Sequence, residues 1–161
     1  MTVTSDITAT YRGPGKVMTR LLKMGQREDR VLIFLMAGCI VIFIAQLPPL
    51  ARKAHLTGQE LNMLLGGALL AWVTIAPLLL YGIATLTHLI ARAIGGKGSW
   101  YGARLSLFWS LLASSPLLLL HGLIAGFIGP GPALWGVEVL WFCIFGWFWL
   151  ATLRRAERTP G

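Results

Sequence analysis

Residues 105–128, LSLFWSLLASSPLLLLHGLIAGFI, run into the four-residue turn 129–132, GPGP, and then into residues 133–153, ALWGVEVLWFCIFGWFWLATL. Each run is long enough to cross the hydrocarbon core of a bilayer, which takes roughly 20 apolar residues in helical form. A tight, uncharged turn leaves no room for a crossover, so the second run must return antiparallel beside the first. This hairpin decides the fold class: an all-α, polytopic transmembrane helical bundle.

The rest of the chain has the same character. Of its 161 residues, 56% are hydrophobic and only 12% charged, about half the charge of a soluble domain. The first apolar block, residues 31–47, carries no charge and ends at Pro48-Pro49. Residues 1–30 contain no apolar h-region, so this block is expected to be an uncleaved anchor. Thr57 and Glu60 have the spacing of a capping box, which predicts a second helix starting near Gly58. Residues 61–91 are too long for one perpendicular crossing and too short for two. One span fits, at about 61–84, with Pro77 expected to kink it and the surplus, including Thr85, Thr87 and His88, reaching the interface. Gly66-Gly67-Ala68 offers a small surface for close helix packing. The predicted organisation is a tail over 1–30, a four-span domain over 31–153 (31–47, 61–84, 105–128, 133–153) and a basic tail over 154–161.

Charge tests the span count. Lys and Arg total 14 against 6 Asp and Glu, a net charge of +8. Six of them precede the first span, three lie in the loop from Arg92 to Arg104 and three follow the last span, whereas only Arg52 and Lys53 lie on the opposite side. The positive-inside rule then places both termini in the cytoplasm and disfavours five spans. Because the positive charge flanks apolar blocks instead of covering a globular face, it does not imply nucleic acid.

Residues 1–10 are small and polar and read as a mobile terminus. In residues 14–30, Lys16, Arg20, Lys23, Arg27 and Arg30 recur at three- and four-residue steps, flanked by Val17, Met18, Leu21, Leu22 and Met24. Two readings stand here: a helix in the headgroup layer of an anionic leaflet, or a solvated basic tail that sets orientation.

Ionisable groups inside spans are costly and are default functional candidates. His88 reads as an interfacial, solvated or helix-capping group. His121 and Glu138 flank the GPGP turn at depths differing by about 3 Å, so they can face each other as a proton-sharing or ion pair usable for a proton relay or cation binding. Alternatively, Glu138 snorkels to the interface and His121 donates to a backbone carbonyl or a serine.

Enzyme templates fail. Gly95-Gly96-Lys97-Gly98-Ser99 lacks the first glycine of a phosphate-binding loop and has Gly98 where Ser or Thr must follow the lysine, which leaves a flexible loop. Ser106, Ser110, Ser114 and Ser115 read as interhelical hydrogen-bonding groups, with no Asp to complete a triad. Cys39 and Cys143 lie in apolar blocks with no disulfide or zinc pattern. The aromatic residues of 133–153 read as packing. No cofactor, metal or catalytic residue is expected.

The segment from Leu86-Thr87-His88-Leu89-Ile90-Ala91-Arg92 through Gly95-Gly96-Lys97-Gly98-Ser99-Trp100 to Ser114-Ser115-Pro116-Leu117-Leu118 resembles the Yip1 domain family in its bacterial form. That family shows a helix, a Gly-Gly-Lys-Gly-Ser/Thr-aromatic cytoplasmic loop and a helix with a small-residue and proline break. The resemblance covers about residues 14–150 and extends to the basic segment ahead of the first span. Eukaryotic members have five spans, an Asp-Leu-Tyr-Gly-Pro pattern and a link to Rab GTPases; this chain departs on the first two, so the Rab role is not carried over. The resemblance implies a non-enzymatic binding or scaffold component of the cell inner membrane. Lys16, Arg20, Lys23, Arg27, Arg30, Lys97, Trp100 and Arg104 are then the expected contacts to anionic lipid of the inner leaflet, to a membrane-protein partner or to a second copy. The alternative is a small proton-coupled transporter, or an accessory subunit of a membrane complex, using His121 and Glu138.

Overall fold

Backbone N–H and C=O groups in apolar surroundings have no water to bond, and a helix satisfies them within one segment. The computed structural model describes residues 3–25 and 27–158, and every regular element among them is helical. Two short helices, α1 (Val3–Thr10) and α2 (Pro14–Lys23), come first. They are followed by α3 (Glu28–Thr57), α4 (Leu61–Ala93), α5 (Trp100–Phe127) and α6 (Pro132–Arg158), each long and apolar enough to cross a membrane. Residues 154–158 continue α6, and 159–161 of the expected tail lie outside the described residues.

Helix α5 is the axis of the bundle. Apart from Arg104 it is buried from Tyr101 to Ser115, and α3, α4 and α6 all pack on it. Its Trp109 and Phe108 are fully enclosed. Phe34 of α3 meets Trp109 edge-on at 5.0 Å, and Tyr81 of α4 meets Phe108 in the same way at 5.0 Å. Such edge-to-face pairs add to the energy of burial itself.

Residues 3–10, expected to be part of a mobile terminus, are instead a packed helix. A buried indole N–H needs an acceptor, and Trp109 Nε1 finds one in Thr10 Oγ1 at 3.0 Å. Beside it the Tyr11 hydroxyl donates to the Ala113 carbonyl at 2.8 Å, and burial raises the pKa of that phenol. Helix α2 is also shorter than the basic stripe implied. It ends at Lys23, and the chain turns at Gly25 with φ +86°, a left-handed conformation glycine adopts without steric cost. Arg27 and Arg30 therefore lie outside α2. The apolar face of α2 goes into the bundle core through Val17, Met18 and Leu21, rather than into a headgroup layer.

Pro48-Pro49 does not end the first long helix, which continues to Thr57. Two prolines remove two successive ladder bonds, and close packing against α5 holds the weakened segment. A Cβ on Gly122 would run into the Ala45 carbonyl oxygen, and one on Gly126 into the Pro48 ring. Arg52 Nη1 reaches the Gly126 carbonyl at 3.4 Å. The expected capping box does not form. Gly58 adopts φ +71° and donates its N–H to the Ala54 carbonyl at 3.0 Å, the left-handed stop of a helix C-terminus. Thr57 belongs to that helix, bonding back to the Lys53 carbonyl at 2.6 Å, and α4 starts only at Leu61. Within α4 the turn over Ala71–Ile75 is a π-helix. Pro77 has no N–H for the Val73 carbonyl, and a wider turn accommodates the missing bond.

Gly122→Val should lower stability in detergent by about 1–3 kcal/mol, the usual cost of overpacking. Gly136→Ala, where a Cβ meets nothing within 4 Å, should leave the melting temperature within a degree or two of the parent, roughly the effect of a neutral surface change.

Candidate functional site

The α5–α6 hairpin carries a line of polar links between its two helices. Nearest the turn, His121 Nε2 lies 3.0 Å from Glu138 Oε1. Next, Trp141 Nε1 donates to Ser114 Oγ at 3.2 Å, and deeper still Ser110 Oγ meets Thr152 Oγ1 at 3.2 Å. Ser106 and Ser115 do not take the interhelical role expected of them; each bonds back to a carbonyl of its own helix, Ala103 and Leu112. The turn itself brings His121 and Glu138 level, with Gly129 and Gly131 at φ +90° and +158°. Their side chains are 24% and 41% exposed, so the pair sits at the bundle surface.

A second His–carboxylate pair occupies the opposite end, and it escapes sequence reasoning because its members are 69 residues apart. His88 is not solvated: its side chain is 1% exposed and its Nδ1 lies 3.1 Å from Glu157 Oε1. The Trp100 ring covers it at 4.3 Å between centroids. Glu157 Oε2 accepts from the Gly98 N–H at 3.1 Å, and the Glu157 carbonyl accepts from the Lys97 N–H at 2.8 Å. The glycine-rich stretch is thus an anchored strap over the end of α6. Its composition follows from the approach, since a Cβ on Gly98 would lie 2.5 Å from the Ala156 carbonyl oxygen.

The expected surface contacts divide by partner. Lys16, Lys23 and Lys97 are exposed cations. Arg20 is bonded to Asp6, Arg104 to Glu28 and Arg27 to Asp29, whereas Arg30 Nη1 contacts Met24 Sδ at 2.6 Å. Trp100 is committed to His88, with 39% of its surface exposed. All eight lie at the end of the bundle where α2, the strap and the close of α6 meet. Among the described residues no cluster of three or more His, Cys, Asp or Glu could hold a metal ion.

Compared with known proteins, the chain matches no family model, no curated protein and no solved structure.

The two pairs should respond differently to mutation. Glu157→Ala removes the carboxylate's bonds to a buried imidazole and to the Gly98 N–H, and should cost about 1.5–3 kcal/mol while loosening the strap enough to expose the Lys97 peptide bond to trypsin. Glu138→Gln, at a 41% exposed site, should cost less than about 1 kcal/mol. It should still shift the NMR signals of the His121 ring, and unchanged signals would dismiss the contact.

Proposed function

We propose that this chain is a four-span integral membrane protein of the Yip1-like type, acting as a non-enzymatic binding or scaffold component with both termini in the cytoplasm of a cell with an inner membrane. The observation that carries the reading is the convergence of its basic segments at one end of four long apolar helices. Helix α2 packs on α6, the Gly95–Lys97 strap is bonded to Glu157, and Arg104 is paired with Glu28 at the start of α3. Twelve of the 14 Lys and Arg residues belong to this end, and Arg52 and Lys53 to the other. A packed basic platform of this kind suits an anionic leaflet, with the exposed Lys16, Lys23 and Lys97 as its lipid or partner contacts. The Yip1 resemblance of residues 86–118 supports the same reading. In its favour, too, the strap bearing the Gly-Gly-Lys-Gly pattern is a built surface element rather than a slack loop.

A specific observation favours a second reading. The His121–Glu138 contact at 3.0 Å, on the rim of an apolar cleft, is the sort of intramembrane ionisable pair that proton-coupled transporters use.

Reporter fusions after residue 58 and after residue 158 should report opposite sides, with the second cytoplasmic, and the chain should resist alkaline extraction. Purification in mild detergent should then recover a stoichiometric partner that is lost when Lys16, Lys23 and Lys97 are all changed to Glu. A lone protein that conducts protons in vesicles, with flux lost in Glu138→Gln, would replace the scaffold reading with the transporter.

A further inference from the structure

A cleft of about 650 Å³ runs between α4 and α6, with α5 as its floor. Ile75, Leu79 and Ile83 form one wall, Phe145 and Trp149 the other, and Leu107, Leu111 and Leu118 the floor. From Leu107 to His121 it extends ~20 Å along the helix axes. That exceeds the depth of one leaflet's hydrocarbon, half of ~30 Å.

The amide and the imidazole of the lining lie toward one end, whereas the Trp149 indole N–H on the α6 wall is itself buried and without a hydrogen-bond partner among the described residues. Gln46 of α3 and His121 of α5 both border the cleft. Among the described residues the Gln46 amide has no hydrogen-bond partner, although it carries two donors and an acceptor. An amide left unpaired in apolar surroundings is costly, so a ligand that bonds it gains from doing so. Among the described residues no other ionisable group borders the cleft, and the His121 imidazole is already matched by Glu138. A charged ligand head would therefore have no counter-charge, whereas a neutral hydroxyl or carbonyl would be fully served.

A helix ~10 Å across and ~20 Å long occupies about 1,600 Å³, so it could seat only part of its surface in the open cleft, whereas one extended hydrocarbon chain is slender enough to lie within it along its length. We propose that the cleft binds a single chain of a neutral long-chain lipid, with its hydroxyl or carbonyl head held by Gln46 and His121. This rests on the membrane placement proposed above.

The test uses the full chain in phosphatidylcholine vesicles and hexadecanol carrying a mid-chain diazirine. Cross-links mapped by mass spectrometry should concentrate on Ile75, Leu79 and Phe145, at least tenfold over the outward-facing Leu78 and Phe142. Gln46→Leu should cut that labelling at least fivefold. Leu79→Trp, at a side chain 63% exposed and so tolerant of bulk, should abolish it by filling the cleft, and a palmitic acid probe should label the cleft more weakly than the alcohol. Even labelling of cleft and outer faces, labelling indifferent to Gln46→Leu, or cross-links to a helix of a second copy would overturn the proposal. Alkaline extraction of the same vesicles separates the two readings: retained protein with even labelling defeats only the cleft, whereas extracted protein defeats the membrane placement and the cleft with it.

Discussion

Everything else in the bundle depends on the close approach of α3 to α5. At Gly122 and Gly126 the two backbones come so near that no side chain fits between them, and the carbonyl of Ala45 and the ring of Pro48 occupy the space. Between apolar helices in apolar surroundings, dispersion at short range replaces the hydrophobic drive available in water. A pair of glycines one turn apart supplies that contact directly. It also explains why two adjacent prolines leave α3 continuous, since the segment missing two ladder bonds is held by its neighbour.

With α5 fixed against α3, its remaining faces accept α6, α4 and α1, while α2 packs on α6. Most of the buried polar groups are matched, the Tyr101 hydroxyl and the Trp149 indole N–H being exceptions. Ser110, Ser114 and Thr152 are bonded across or within helices, the Trp109 indole is capped by Thr10, and His88 is matched by Glu157. A buried histidine without an acceptor would be among the most costly groups in such a core. The glycine-rich strap permits the match by letting the backbone of residues 96–98 press against the last turn of α6, so loop composition and helix-end electrostatics are parts of one device.

Length and hydropathy made the four long helices legible, and the depth arithmetic around GPGP placed His121 and Glu138 together, because a short hairpin turns sequence separation into geometry. Helix ends were less legible. The Thr57–Glu60 spacing satisfied a capping rule, but Gly58 answered a competing one, and the left-handed glycine prevailed. Periodicity joined Arg27 and Arg30 to the stripe of α2, whereas one glycine at φ +86° was enough to separate them. The His88–Glu157 pair was not legible at all. No local pattern links groups 69 residues apart, and the loop that brings them together looked flexible because its glycines also serve close contact.

Helix α4 shows what these unequal contacts imply for motion. Its buried residues, Pro77, Ala84 and His88, all lie in the half that ends at the strap, and the half from Leu61 to Ile75 buries none. One end is thus clamped by a histidine, a carboxylate and two loop amides, while the other rests on the bundle through half-buried contacts alone. The π-turn over Ala71–Ile75 closes the loosely held half, next to the clamped one, and borders the cleft. A helix clamped at one end and loosened by a wide turn in the middle bends most easily at that turn. The wall carrying Trp72 and Ile75 thus belongs to the part of α4 that the His88 clamp does not hold, and it is this part that faces Gln46 and His121 across the cleft.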